Sequence, residues 1–173
     1  LISGLLVGQS MITSTKVQAQ VKQFQQFDIA VENFKTMYGQ LPGDTEYYTT
    51  TDGGGCTNAP GDNDGTIENE SDDLGATLDV ATCEIAGFWS HLSQNGFGST
   101  AFSQTTGNGI RPDDDTPAPK LGKGVGIVLA YGISGTNYYH MFDHSAQTDE
   151  AIDTSNAPSL TASDALALDS KMD

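Results

Sequence analysis

Val17-Gln18-Ala19-Gln20-Val21-Lys22-Gln23-Phe24-Gln25-Gln26-Phe27-Asp28-Ile29-Ala30-Val31-Glu32-Asn33-Phe34-Lys35-Thr36-Met37-Tyr38, closed by Gly39-Gln40-Leu41-Pro42-Gly43-Asp44, decides how this chain is built. Val17, Val21, Phe24, Phe27, Val31, Phe34 and Tyr38 recur at spacings of four and three, which predicts one apolar stripe along a helix. Gln18, Gln20, Gln23, Gln25, Gln26, Asp28 and Glu32 fill the remaining positions. No proline precedes Pro42, and Gly39, Pro42 and Gly43 give the helix a sharp end.

Working back towards the start, Leu1 to Ile12 is an uncharged apolar run broken by Ser3, Gln9 and Ser10, and Lys16 follows it. Spanning a bilayer takes roughly 20 mostly apolar residues, so this run alone is too short. It begins with Leu and lacks a basic region followed by a small-residue cleavage site, so it does not read as an intact secretory signal. The expectation is that a further N-terminal piece precedes it. If Leu1 to Tyr38 is one helix, it is about 57 Å long at a rise of 1.5 Å per residue, with Gly4 and Gly8 allowing close packing or local unwinding. Such a helix outruns the domain it serves, so lipid or other copies of the same helix must bury its lower half. Leu5, Leu6, Met11, Ile12 and Val17 are the expected subunit contacts, while Phe24, Phe27, Val31 and Phe34 are expected to face the head's own sheet. The chain divides into a stem and spine, residues 1–38, and an acidic globular head, residues 39–173.

Composition bounds the head. Hydrophobic residues make up 36%, and counting the 20 Gly among the apolar residues brings the chain to the range of foldable soluble domains. Seven Lys and Arg against 23 Asp and Glu give a formal charge of −16, which repels phosphate backbones and anionic lipid surfaces. Nucleic-acid binding by the head is therefore excluded as an expectation, while solubility and cation attraction are favoured.

The two cysteines, Cys56 and Cys83, lie in polar surroundings rich in Gly and Asn. A disulfide between them in an oxidising compartment would stabilise the fold by roughly 3.5 kcal/mol on the chain-entropy argument; the alternative is two unpaired thiols. Neither CxxC nor Cys/His spacing for zinc is present. Between them lies Asp62-Asn63-Asp64-Gly65-Thr66-Ile67-Glu68, which has the character of the middle of a calcium loop: Asp and Asn oxygens around a Gly that permits the turn, with Ile pointing inward. Asp62 and Asp64 are the candidate ligands. Pro60 stands where the first EF-hand ligand belongs and Ser71 where the bidentate Glu belongs, so Asp72-Asp73 or C-terminal carboxylates would have to complete a site; otherwise the stretch is a solvated turn.

Further along, Thr82 can cap a helix from Cys83 to about Gln94, with Ile85, Phe88, Trp89 and Leu92 inward and Gly96 closing it. Phe97 to Lys123, which contains Asp113-Asp114-Asp115, reads as an exposed loop. Val125 to Tyr131 and Asn137 to Phe142 read as two strands joined by a short hairpin connection, with Phe102 a candidate for a further strand. Leu160 to Leu168 forms a short helix capped by Thr161, with Asp164 completing a capping box. Asn69-Glu70-Ser71 is a glycosylation sequon. No GxSxG, P-loop or HExxH occurs, and His140 with His144 is the nearest approach to a metal pair, the one route to a membrane-tethered hydrolase. The expectation is no enzyme.

The run Gly8-Gln9-Ser10-Met11-Ile12, the Gln-rich helix to Phe34, and Tyr38-Gly39-Gln40-Leu41-Pro42-Gly43-Asp44 together resemble the N-terminal helix and helix exit of bacterial type IV pilins and type II secretion pseudopilins. Phe88-Trp89-Ser90-His91-Leu92-Ser93-Gln94-Asn95-Gly96 resembles the short second helix of a pilin subgroup, and Asp164 to Asp173 resembles its C-terminal helix entering an acidic loop. The family's opening aromatic residue, and the glutamate at its fifth position, have no counterpart here, and its acidic loop continues beyond Asp173. The resemblance implies an α+β fold: a long helical spine packed on a small antiparallel sheet, with long loops and a short C-terminal helix. It implies a subunit held in the inner membrane before assembly, loss of a leader, and polymerisation through N-terminal helices into a surface filament by an assembly machinery. It also implies calcium at the C-terminal acidic exit, making Asp169 and Asp173 a second candidate pair. A minor pilin or pseudopilin, or a membrane-stemmed module binding calcium or glycans, are the alternatives.

Overall fold

The computed structural model describes residues 2–46, 61–67, 83–96, 102, 116–121, 126–133, 135–143 and 160–172. The expected long helix is present as α1, Ile2–Tyr38. Gly39 ends it at a φ of 74°, in the left-handed region, its N–H donating to the Lys35 carbonyl at 2.8 Å, the usual way a helix gives up its last carbonyls. A second helix, α2, runs Cys83–Gln94 and closes at Gly96, whose φ is 72°. Strands β1, Gly126–Ile133, and β2, Thr136–Asp143, pair antiparallel from Gly126↔Asp143 to Ile133↔Thr136. A third helix, α3, covers Ala162–Met172 and packs on α1.

The β component of the described residues is this one hairpin, so the small sheet expected from the sequence amounts to two strands. They meet more tightly than the expected connection Gly132 to Thr136, because pairing continues to Ile133 and Thr136 and Gly135 turns the chain at a φ of 76°. Phe102 lies outside both strands; its N–H donates to Ser93 Oγ at 3.1 Å, which holds it beside α2 as an edge aromatic on Trp89. A two-stranded ribbon is marginal alone, so this hairpin depends on what its inner face covers.

That face covers α1 through Tyr139. The Tyr139 ring stacks on Phe24 at 5.6 Å and lies 5.7 Å from Phe27, with the Asp28 carboxylate near its hydroxyl. Burial, with the Asp28 charge beside it, pushes that phenol's pKa up. Further along the spine, α2 takes over from the hairpin. Trp89 meets Phe27 edge-on at 4.6 Å, and Phe34 stacks on His91 and touches Tyr38. The expectation that Phe24, Phe27, Val31 and Phe34 all face a sheet is thus corrected for Phe34, which α2 covers. The core formed by Val17, Phe24, Ala30, Phe34, Ile67, Ile85, Phe88, Trp89, Leu92, Leu121 and Leu168 is one contiguous cluster.

Two glutamines of the expected polar face are core residues. Gln20 is fully buried and Gln23 nearly so. Gln20 Oε1 accepts the backbone N–H groups of Lys120 (2.7 Å) and Leu121 (3.1 Å), and its Nε2 donates to Gln23 Oε1 at 2.9 Å. Gln23 Nε2 then donates to the Ala118 carbonyl at 2.9 Å. Thr116 makes an isolated bridge, and beyond it these amides satisfy backbone groups of Ala118, Lys120 and Leu121 that burial would otherwise leave unpaired.

Candidate functional site

Two features of the described residues bear on function: an uncovered face of α1 and a cluster of carboxylates at its exit. On α1 the buried register begins at Val17, which is 3% exposed, whereas Met11 and Ile12 are 67% and 60% exposed. Val17, expected as a subunit contact, is therefore corrected: it belongs to the head's own core, because it sits on the same side of the helix as Gln20 and Phe24. Met11, Ile12, Thr15, Lys16 and Ala19, with Lys120 opposite, line an apolar groove. Leu5 and Leu6 lie within α1; their side chains fall outside the described residues. The sequence reading missed Ile29 and Met37, which are 61% and 64% exposed. Eighteen residues make five full turns of an α-helix, so Ile29 stands directly in line with Met11 on the face turned away from the head. Its apolar identity among Gln26, Asp28 and Glu32 was the available signal.

The second feature begins where α1 stops. Pro42, Gly43, Asp44 and Thr45 are buried, and Gly43 donates its N–H to His91 Nδ1 at 2.9 Å. That bond makes His91 an acceptor, and burial lowers its pKa to about 4, so it is neutral at pH 7. Gly43 has a φ of 90°, and a Cβ there would fall 2.5 Å from the Glu84 carbonyl oxygen. Gly61 is as tight: its Cβ would lie 2.5 Å from the Thr45 nitrogen and 2.6 Å from Asp44 Cα. Glycine at both positions lets the loop 61–67 lie directly on the spine exit and α2 on its other side.

The loop is held at both ends. Asp62 Oδ1 accepts the Asp64 N–H at 3.1 Å and Asp64 Oδ1 accepts the Thr66 N–H at 2.7 Å, two successive Asx turns. Gly132 donates to the Ile67 carbonyl at 2.7 Å, and the Asn137 amide bridges the Ile67 N–H and the Gly65 carbonyl, both at 2.9 Å. Ile67 turns inward as expected and is 2% exposed.

This folding gathers one carboxylate oxygen each from Asp44, Asp62 and Glu84 within 4.8 Å of one another. Asp44 is fully buried; Oδ2 accepts the Gly65 N–H at 2.8 Å, and Oδ1 is buried with no hydrogen-bond partner. Glu84 Oε1 accepts the Asp62 N–H at 3.2 Å. Burial raises the Asp44 pKa; the Gly65 and Asn63 N–H groups work against that, and the Asp64 and Asp62 charges add to it. At such separations two buried carboxylates repel by roughly 3–4 kcal/mol at an effective dielectric near 20. A cation bound among the three would offset that repulsion.

Of the candidate ligands named from sequence, Asp62 joins this cluster and Asp64 does not. Asp169 lies on α3, which continues to Met172, and is exposed there. The Thr161 cap that starts α3 is present, its Oγ1 accepting the Asp164 N–H at 3.2 Å, but the expected box is not closed: Asp164 Oδ2 accepts from the Thr161 hydroxyl at 2.7 Å and not from the Thr161 backbone N–H. Asp173, Cys56, Asp72, Asp73, Asp113 to Asp115, His144 and the sequon at Asn69 lie outside the described residues, as does the side chain of Cys83. Among the described residues, no helix is long and apolar enough to cross a membrane. Comparisons with protein-family models, curated proteins and solved structures returned no match for this chain.

Proposed function

We propose that this chain is the structural subunit of a helical, type IV pilin-like surface filament that polymerises through α1. The observation that carries the reading is the change of environment along one unbroken helix: the head covers one face of it from Val17 onward, while Met11 and Ile12 stand exposed in the groove they line opposite Lys120. Ile29 and Met37 extend apolar surface along the outer face. Exposed apolar area of this kind is stabilised by neighbours at about 25 cal/mol per Å2, and helical repetition multiplies each small contact. The occupant we assign to that face is a second copy of α1, with the acidic heads outward and the subunit in the inner membrane before assembly. The partners are other copies of the chain and an assembly machinery, and no catalysis is assigned.

The test is assembly of the doubly substituted chain Leu6→Asp with Ile12→Asp, viewed by negative-stain electron microscopy in cells expressing the full protein. The expected outcome is loss of filaments with the head still folded, read by protected Trp89 fluorescence. Ile29→Asp should weaken assembly without lowering head stability, because its side chain is solvent-exposed in the single chain. Intact filaments from the double variant would refute the assignment.

A further inference from the structure

We infer that Asp44, Asp62 and Glu84 form a site for one calcium-sized divalent cation that clasps the 61–67 loop to the exit of α1 and to the first turn of α2. Three segments far apart in sequence supply the oxygens, so the cluster is a product of the fold and not of one acidic run. The decisive group is Asp44. Its side chain is wholly removed from solvent, yet Oδ1 has no hydrogen-bond donor, and the nearby charges of Asp64 and Asp62 are both acidic. A buried carboxylate oxygen left without a donor, beside two further carboxylates, is a ligand in waiting.

Size follows from the geometry. Two oxygens bound to one calcium at about 2.4 Å lie at most about 4.8 Å apart, whereas magnesium at about 2.1 Å limits them to about 4.2 Å. The three oxygens lie within 4.8 Å of one another, so the longer bonds and adaptable shell of calcium suit the cluster better than the strict octahedron of magnesium. Asp62 is exposed, which leaves one side open for the waters that complete a coordination shell of six to eight. The backbone around the site is fixed in advance: Gly43 and Gly61 bring the spine exit, loop and α2 to distances that any Cβ would violate, and the Asn137 amide anchors the far end of the loop. The inference is independent of filament assembly, since every ligand belongs to the head.

The experiment is calorimetric titration of chelator-stripped, detergent-solubilised full-length protein with calcium chloride and, separately, magnesium chloride, alongside thermal unfolding followed by Trp89 fluorescence. We expect one calcium per chain, a higher unfolding midpoint with calcium, and magnesium binding at least about tenfold weaker. Asp62→Asn, whose side chain is exposed and whose turn hydrogen bond an amide oxygen retains, should weaken calcium binding by about tenfold or more; Asp44→Asn should abolish it. Asp64→Asn and Asp169→Asn should bind as the parent does. Extracellular calcium modules bind in the range of about 0.1–1 mM, so absence of both heat and midpoint shift at about 10 mM calcium in folded protein would overturn the proposal. Unchanged binding in Asp62→Asn would also overturn it, as would equal affinity for magnesium or loss of binding in Asp64→Asn or Asp169→Asn; Asp62→Asn decides the matter should Asp44→Asn fail to fold.

Discussion

Replacing Gln20 with alanine should cost the head about 3–5 kcal/mol of stability, more than an exposed polar position on a helix would lose. The figure comes from the bonds removed. Leu121 would keep a buried N–H with no acceptor, at roughly 1–3 kcal/mol, and Lys120 would lose the acceptor of its own N–H, which partial exposure lets water replace in part. Gln23 Oε1 would lose its donor, and a cavity the size of the fully buried side chain would remain. Gln20→Leu refills the volume but leaves the same orphaned groups, so it should recover only a minor share. Gln20→Glu keeps both acceptor bonds to Lys120 and Leu121, but sets a carboxylate oxygen against Gln23 Oε1. Gln23 can answer by flipping its amide only by giving up its bond to the Ala118 carbonyl. The assay is urea unfolding of the full chain in detergent, followed by Trp89, the protein's single tryptophan, with hydrogen exchange at the Lys120 and Leu121 amides. Since Lys120 forms the wall of the groove opposite Met11 and Ile12, loosening 116–121 should also impair filament assembly. A Gln20→Ala protein within about 0.5 kcal/mol of the parent, with the Leu121 amide still protected, would refute the reasoning.

The other predictions concern the spine exit. His91 has a folded pKa of about 4 against 6.5 unfolded, so the unfolded chain takes up the proton first; stability is complete above pH 6.5 and falls as pH drops from there through about 4. The full loss is roughly 3 kcal/mol. His91→Gln should flatten that fall when unfolding midpoints are compared across the window, and an unchanged slope would exclude His91 as its source. Asp44 works in the opposite sense in chelated protein: its raised pKa means the folded state binds the proton more readily, so its contribution grows on acidification towards its unfolded value of 3.8. Calcium should remove that gain, and a pH titration with and without calcium checks it. Gly61→Ala should destabilise the head by about 1–3 kcal/mol and weaken calcium binding, because its Cβ meets Thr45 and Asp44 backbone atoms that have nowhere to move. An Ala variant with parental stability would show that the loop is not seated as described.

The apolar period of α1 was legible because a helix facing its own head must repeat apolar residues every three or four positions, and Val17 to Tyr38 do so without interruption. Turn chemistry was legible for the same local reason: Gly39, Gly96, Gly135 and the Asp62 to Thr66 Asx turns need only their own neighbours. Sequence alone also marked α2 and its inward residues and the Thr161 cap of α3, and it named Asp62 as a ligand candidate.

What stayed hidden depends on long-range partners. Gln20 and Gln23 look like solvent-facing amides until Ala118, Lys120 and Leu121 arrive to use them. Val17 looks like a subunit contact until the head is seen to reach that far down the spine. Asp44 sits in a helix-exit motif, Asp62 in a turn and Glu84 in the first turn of α2, and nothing in their separations along the chain announces that they meet. Local sequence determines which dihedrals and which faces each segment prefers, because those energies arise between near neighbours. Only tertiary packing decides which polar groups lose water together, and with that loss come both the buried amide network and the convergence of three carboxylates.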